Sequence, residues 1–193
     1  MKITMKNITI FASGNGTNAE RIIKYFMDNS KADVVLILSN KPDAGVLMRA
    51  KKLDIETVVF NRNTFYNTND VVEILENNNT DLIVLAGFLW LVPDNILNNY
   101  RDRILNIHPA LLPKYGGKGM FGHHVHEAVI GAGEKMSGIT IHYVNEKYDD
   151  GQIVFQKKLD VLPDDTPDSL ASRIHKLEYE FYPKVIEEVI ARL

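Results

Sequence analysis

Two polar residues stand two positions apart at the end of an apolar run, in the segment "RILNIHPALLPKYGG" that spans 103–117. Residues two apart on a strand share a face, so Asn106 and His108 are predicted to point the same way while Ile107 points into the core. Pro109 favours extended backbone at His108 and so limits the direction of the imidazole. An amide beside an imidazole can donate hydrogen bonds and transfer protons. A histidine that only packs at the end of a strand is the alternative.

A carboxylate that could complete this group lies in the segment "YDDGQI", which offers Asp149 and Asp150. The segment joins two predicted strands, and Asp-Gly is also a common hairpin turn signal. The spacing along the chain does not decide whether either aspartate reaches His108.

A glycine turn, "SGNGTNA" at 13–19, lies between the first predicted strand and the first predicted helix. Small residues allow close approach of a ligand, and free amides at a helix start favour an anion. The pattern matches G-x-G-x-x-A, but a dinucleotide site also expects an acidic residue after the next strand. That strand ends with Asn40 and Lys41 instead. We therefore predict a phosphate site that does not belong to NAD, with a plain strand-to-helix turn as the alternative.

The elements that must position these residues alternate between strand and helix. Apolar runs or alternation predict strands at 7–13, 33–40, 56–60, 80–87, 103–107, 137–144 and 152–161. Helical spacing predicts helices at 18–27, 44–53, 69–76, 93–100, 124–130 and 168–193, the last one kinked or divided by Pro183. Short connections between the first five strands predict an α/β fold, an open and mostly parallel twisted sheet with helices on both faces. The last two strands alternate as strands with one wet face, which predicts antiparallel pairing in the C-terminal part. The carboxyl ends of the parallel strands would then form the ligand crevice.

Composition excludes several classes of function. The chain has 193 residues, no cysteine and a net charge of −3, so disulfides, thiolate metal sites and cysteine nucleophiles are excluded. The net charge shows no basic excess of the kind that would indicate binding to nucleic acid or to an anionic membrane. No apolar run approaches the roughly 18 residues of a membrane span. The N-terminus lacks the pattern of a signal peptide. We expect a single domain over 1–193 in the cytoplasm, with small-molecule partners only.

The four segments "SGNGTN", "LAGF", "LNIHPALLPKYGG" and "DDGQI", in this order and separation, resemble the phosphoribosylglycinamide formyltransferases. The resemblance covers nearly the whole chain and implies a Rossmann-like formyltransferase fold. It also implies formyl transfer from 10-formyltetrahydrofolate, as cosubstrate, to the amine of phosphoribosylglycinamide in purine biosynthesis, without a metal. Residues 1–105 would form the nucleotide-binding half and residues 106–193 the catalytic and folate-binding half, in a monomer or homodimer.

The resemblance assigns roles to three groups of residues. The catalytic group is Asn106, His108 and Asp149, since the family pattern reads Asp, small residue, Gly. The ribonucleotide group is Gly16, Thr17, Asn18, His175 and Glu178. The formyl-folate group is Leu89, Trp90, Leu91, Val92, Asn106, Asn145, Glu146, Lys147, Tyr148 and Asp149. The asparagine amide and a protonated imidazole would donate to the oxyanion of a tetrahedral adduct, with Asp149 favouring the imidazolium.

The chain departs from the family at the folate side. Many relatives have arginine at the position of Trp90, a further arginine near Thr68 is missing, and the segment "GGKGMFGHH" is longer than in some members. Trp90 could pack on a pterin ring, although Trp90 and Phe88 could equally belong to the core. His142 shares a strand face with Thr140 and could line the site.

Alternatives to this function remain. The histidines at 123, 124 and 126 could suggest zinc, but only His123 and His126 share a helical face and no third ligand is evident. A solvated helix start is the alternative for these histidines. A methionyl-tRNA formyltransferase or a formyltetrahydrofolate deformylase would carry a further domain for which this chain has no room. A non-catalytic nucleotide-binding module would leave Asn106, His108 and Asp149 without a role.

Overall fold

The computed structural model describes residues 5–193, and in this part of the chain seven strands form one sheet. The strands are β1 (Lys6–Phe11), β2 (Ala32–Ser39), β3 (Glu56–Val59), β4 (Leu82–Leu85), β5 (Ile104–His108), β6 (Met136–Tyr143) and β7 (Ile153–Asp160). Their order across the sheet is β3-β2-β1-β4-β5-β6-β7. The first five strands pair in parallel, whereas β5 with β6 and β6 with β7 pair antiparallel. The predicted fold class is confirmed.

Helices cover both faces of this sheet. They are α1 (Thr17–Asn29), α2 (Gly45–Lys52), α3 (Arg62–Tyr66), α4 (Asp70–Asn77), α5 (Asp94–Asn99), α6 (His123–Gly131) and α7 (Pro167–Ile190). Alternation along β2 sends Ile37 into a core shared with α1, α2, α6 and α7, and sends Leu36 and Leu38 into a second core with α3, α4 and α5. Strands covered on both faces are apolar at nearly every position, which explains the continuous run in β2.

Two elements differ from the sequence-based predictions. Helix α3 was not predicted, and it begins with a capping box in which the side chains of Asn61 and Thr64 each accept a hydrogen bond from the other residue's backbone amide. Helix α7 continues through Pro183, so the proline does not divide this helix, while a kink there stays a prediction. The helix stays continuous because residues on both sides of the proline are buried, with Tyr182 and Val185 packed in the core. The Tyr182 hydroxyl also donates to the Leu85 carbonyl at 3.0 Å.

The strand order indicates where in the fold a ligand site would lie. The chain leaves β1 toward β2 and β3 on one side and reaches β4 and β5 on the other, so β1 and β4 flank a topological switch point. Ligands of open α/β sheets bind outside the carboxyl ends of strands at such a point. The loops that follow these two strands are joined there, because the Ser13 amide donates to the Gly87 carbonyl at 3.0 Å and the Leu89 amide donates to Ser13 Oγ at 3.2 Å.

Candidate active site

A crevice of about 1060 Å³ opens at this switch point. Most of the predicted site residues line it: Gly16, Thr17, Asn18, Leu89, Trp90, Leu91, Val92, Asn106, His108, Lys147, Tyr148, Asp149, His175 and Glu178. Asn145 and Glu146 do not line it. Asn145 binds Asp150 with its side-chain amide, and Glu146 lines a smaller hollow of about 500 Å³ beside Leu91 and Val92.

Strand β5 brings Asn106 and His108 to the crevice on one face, as the two-residue spacing predicted. His108 is only 3% exposed, and its Nε2 lies 2.7 Å from the Tyr115 carbonyl oxygen. A carbonyl accepts but cannot donate, so His108 Nε2 carries a proton in this arrangement.

Asp149, and not Asp150, is the aspartate that lies beside this pair. Its Oδ2 is 3.4 Å from His108 Nδ1 and accepts a 2.9 Å hydrogen bond from the Gly117 amide. Asp149 adopts a left-handed backbone conformation (φ 54°), which aspartate tolerates better than most residues. Gly151 permits the turn to pass close to β6, since a Cβ there would lie 1.8 Å from the Tyr143 carbonyl oxygen.

The protonation of this pair differs from the sequence-based expectation of an imidazolium. Burial lowers the pKa of His108 below its ordinary value, although the charge of Asp149 and the Tyr115 carbonyl act in the opposite direction. Burial raises the pKa of Asp149, but the His142 imidazole, the charge of His108 and the Gly117 amide together hold that pKa below its ordinary value. The resting site therefore favours a neutral imidazole beside an ionised carboxylate near neutral pH.

The glycine turn forms the start of α1. Gly16 is the residue before the helix, with φ 76°, and it provides no side-chain cap. A Cβ at Gly16 would lie 2.5 Å from Val46 Cβ, so α2 packs directly against the turn. The first amides of a helix have no acceptor within the helix, and Thr17 and Asn18, the first two residues of α1, line the crevice. Such a helix start is suited to a phosphate group.

A polar cluster links α1 to α7 across the crevice. Glu178, 4% exposed, accepts hydrogen bonds from Asn18 Nδ2 at 2.8 Å and His175 Nδ1 at 3.0 Å. The hydrogen bond with Glu178 raises the pKa of His175. Within residues 5–193, the buried Asn18 Oδ1 and His126 Nδ1 have no hydrogen-bond partner. The crevice thus keeps buried polar atoms that a ligand could satisfy.

His126 was considered in the sequence as a metal ligand or as part of a solvated helix start, yet it lines this crevice and is 2% exposed, so it is not solvated. Burial lowers the pKa of His126 to about 4. His123 and His124 lie at the exposed start of α6, both near Glu127, and of these two only His123 also lines the crevice. Between residues 5 and 193 no three His, Asp or Glu side chains are grouped as they would be around a metal ion.

The opposite wall of the crevice is aromatic. Trp90 packs edge-on against Phe60 with ring centroids 6.0 Å apart, and the guanidinium of Arg62 lies 5.1 Å from the indole centroid. Phe88 is 8% exposed and belongs to the second core, whereas Trp90 is partly exposed on its surface. Of the two residues considered for core packing or for contact with a ligand, Phe88 lies in the core and Trp90 lies at the boundary with the crevice.

Comparison with known proteins agrees with this geometry. The formyl transferase family model matches residues 6–186. The chain is 37% identical to phosphoribosylglycinamide formyltransferase of Bacillus subtilis (strain 168) over 191 residues, 96% of this chain and 95% of that protein. It is 40% identical to the chloroplastic phosphoribosylglycinamide formyltransferase of Arabidopsis thaliana over 94% of this chain, which spans 64% of the length of that relative.

Solved structures lead to the same family. The crystal structure of phosphoribosylglycinamide formyltransferase from Streptococcus pneumoniae TIGR4 superposes with a TM-score of 0.85 at 38% identity, covering 96% of this chain and 99% of the other. An identity of this size over almost the full length of both chains extends the similarity from the fold to the family. The chain therefore belongs to the formyl transferase family, as the sequence motifs predicted.

Proposed function

We propose that this protein transfers the formyl group of 10-formyltetrahydrofolate to the amine of N1-(5-phospho-D-ribosyl)glycinamide, giving the N-formyl product and tetrahydrofolate on the route to IMP. The observation that carries the proposal is the grouping of Asn106, His108 and Asp149 inside one crevice. The glycine turn lies at this crevice as a candidate phosphate site, and the wall at Leu89–Val92 as a candidate folate site. The enzymes named above as relatives support the choice of substrates.

The chemistry follows from the protonation of the site. The neutral amine of the ribonucleotide attacks the formyl carbon, and the carbonyl oxygen becomes an oxyanion that the Asn106 amide stabilises by donating an N–H. The nitrogen that attacked then loses a proton, which the neutral His108 beside Asp149 is suited to take. The imidazolium that forms is stabilised by the Asp149 carboxylate. Return of the proton to N10 as the carbon–nitrogen bond breaks releases tetrahydrofolate, so the proton balance closes.

The ligand sites are assigned in the same proposal. The amides at the start of α1, with Gly16, Thr17 and Asn18, bind the 5′-phosphate, and His175 and Glu178 bind the rest of the ribonucleotide. Leu89–Val92, Lys147 and Tyr148 hold the folate, with Trp90 as a surface on which the pterin could pack. Asn145 and Glu146 would contribute from the rim. Because Asn18 binds Glu178 directly, residues 1–105 and 106–193 both contribute to the ribonucleotide site, so a division into a nucleotide half and a folate half is not strict.

The proposal also covers the cellular compartment, the partners and the oligomeric state of the enzyme. No helix between residues 5 and 193 is both long and apolar enough to cross a bilayer. We propose action in the cytoplasm on small molecules, without a metal and without nucleic acid, as a monomer or homodimer.

The test is incubation with both substrates while the release of tetrahydrofolate is followed. Omission of the ribonucleotide separates transfer from hydrolysis, because a deformylase releases tetrahydrofolate and formate without an amine acceptor. Replacement of the ribonucleotide by charged initiator tRNA tests the tRNA formyltransferase alternative. The dephosphorylated nucleoside should bind far more weakly than the ribonucleotide. Absence of ribonucleotide-dependent release would refute the proposed function.

A further inference from the structure

His142 lies directly opposite Asn106 in the antiparallel pair of β5 and β6. Its ring is 2% exposed and lines the crevice. His142 Nε2 is 3.1 Å from Asn106 Nδ2, and His142 Nδ1 is 2.8 Å from the Tyr143 carbonyl oxygen. The imidazole is thus held at both nitrogens, between the backbone of its own strand and the amide of Asn106.

The two contacts determine the tautomer of the neutral ring. The Tyr143 carbonyl can only accept, so Nδ1 must carry the proton and Nε2 is left with a lone pair. The nitrogen of the Asn106 amide, and not its oxygen, must then face His142, because the oxygen would meet a second acceptor. Asp149 favours the same orientation of the amide, since its Oδ1 lies 3.4 Å from Asn106 Nδ2. The same oxygen lies 3.6 Å from His142 Nε2, a contact that would favour a proton on Nε2 but is longer than a hydrogen bond.

The two N–H groups of the Asn106 amide make contacts of different length and strength. One donates to His142 at a normal hydrogen-bond distance, whereas the contact of the other with Asp149 is long and weak. An incoming formyl oxygen can replace the long contact without disturbing the short one. If the amide were reversed, its oxygen would face the developing oxyanion and repel it.

We propose that His142 is a positioning residue for formyl transfer: its Nδ1–H tautomer orients the Asn106 amide so that an N–H is free for the oxyanion. The role in turnover rests on the proposed function, whereas the orientation of the amide can be tested without turnover. His142 touches no reacting atom in this scheme and acts only through Asn106.

A matched pair of variants separates positioning from packing. His142→Gln returns an oxygen acceptor near the position of Nε2, while His142→Asn is shorter and leaves Asn106 without an acceptor. We expect His142→Asn to lower kcat about tenfold or more with both KM values within about threefold of wild type, given that loss of a whole oxyanion donor costs roughly 100-fold to 1000-fold. His142→Gln should recover most of that loss. Equal kcat for the two variants, or an effect on KM alone, would overturn the proposal.

A double-mutant cycle provides the second readout. In an Asn106→Ala background, His142→Asn should lower kcat less than twofold further, because the residue through which it acts is gone. Full additivity of the two substitutions would show that His142 acts elsewhere and would overturn the proposal.

A spectroscopic measurement on the wild-type protein is independent of activity. The ¹⁵N chemical shifts of the His142 ring, assigned by their loss in His142→Asn, should show a protonated Nδ1 and an unprotonated Nε2 in the neutral form. A protonated Nε2 would overturn the proposal even if the enzyme transfers formyl groups. Conversely, a wild-type protein with this tautomer but no formyl transfer would refute the proposed function and leave the amide orientation standing.

Discussion

His108 Nδ1 lies 3.4 Å from Asp149 Oδ2, and the two side chains are only 4% and 10% exposed. An ion pair at this distance inside a protein is screened far less than one at the surface. Burial nevertheless lowers the pKa of His108, so the pair rests as a neutral imidazole and a carboxylate and can accept one proton between them. This relationship underlies the first two predictions.

Replacement of His108 by alanine should remove most turnover and leave the fold intact. The variant loses the group that takes the proton from the amine, and we expect kcat to fall on the order of 100-fold to 1000-fold. Steady-state kinetics measure the loss, and far-UV circular dichroism with a thermal scan checks the fold. A folded His108→Ala protein with turnover near that of wild type would falsify the assignment.

The two neighbouring aspartates provide a matched comparison. Asp149→Asn should lower kcat at least tenfold more than Asp150→Asn, because an amide can neither balance an imidazolium nor accept a proton. Asp150 is exposed and accepts a hydrogen bond from the Asn145 side chain in the same turn. Steady-state measurements of kcat for both variants under the same conditions test this prediction. Equal losses, or a larger loss at Asp150, would mean that the carboxylate has been assigned to the wrong residue.

The glycine turn should tolerate a methyl group at one position and not at another. Gly16→Ala places a Cβ 2.5 Å from Val46 Cβ at φ 76°, so we expect a loss of at least about 1–2 kcal/mol in the free energy of unfolding and weaker binding of the ribonucleotide. A Cβ at Gly14 meets nothing within 4 Å, so Gly14→Ala should change stability by less than about 0.5 kcal/mol.

Calorimetric titration of each ligand separately checks the binding part of that prediction. If the turn holds the phosphate, Gly16→Ala should weaken ribonucleotide binding much more than folate binding. Equal loss of both ligands in a folded variant would indicate a scaffold without a phosphate site, and Lys118 and Lys41 on the same crevice would then be the next candidates.

The single tryptophan should report the folate and not the ribonucleotide. Trp90 is the only tryptophan of the chain and lines the crevice wall where the folate is proposed to bind. Titration with tetrahydrofolate should change its emission, whereas titration with ribonucleotide alone should leave the emission nearly constant. Free tryptophan in the same titration corrects for absorption by the folate. An emission change with the ribonucleotide alone would place the two ligands differently.

His126 should make stability fall on the acidic side of neutrality. The pKa of His126 is lowered from 6.5 to about 4 in the folded protein. Its contribution to the free energy of unfolding is therefore complete above pH 6.5 and is lost as the pH falls toward 4. A shift of this size corresponds to a loss on the order of 3 kcal/mol by pH 4.

The measurement for this prediction is urea unfolding of wild type and His126→Leu at pH 7 and at pH 5. The variant should lose less stability between the two pH values than wild type, because His175 titrates in both proteins and only His126 differs. Equal losses would show that His126 is accessible to protons without unfolding.

The sequence by itself determined the fold class and the residues that share a strand face. Runs of apolar residues over 33–40 and 80–87 are typical of strands in a parallel sheet that is covered on both faces. The two-residue period of a strand places Asn106 and His108 together, and the glycines at 14 and 16 mark a turn before a helix. These properties are local, and local backbone geometry is encoded within a few residues. Helix α3 was missed because its signal is a single capping box over five helical residues.

Only the tertiary structure decided which distant side chains meet and how strongly water is excluded from them. The family resemblance had pointed to Asp149 and not Asp150, but the approach of Asp149 to His108 depends on one left-handed residue in a turn. The hydrogen bond from Asn18 to Glu178 joins residues 160 positions apart. The orientation of Asn106 by His142 depends on cross-strand register. The lowered pKa of His108 depends on burial, since the resemblance implied a nearby carboxylate but not the desolvation that outweighs it. Contacts between distant residues and loss of hydration arise only when the whole chain has packed, and the site chemistry depends on both.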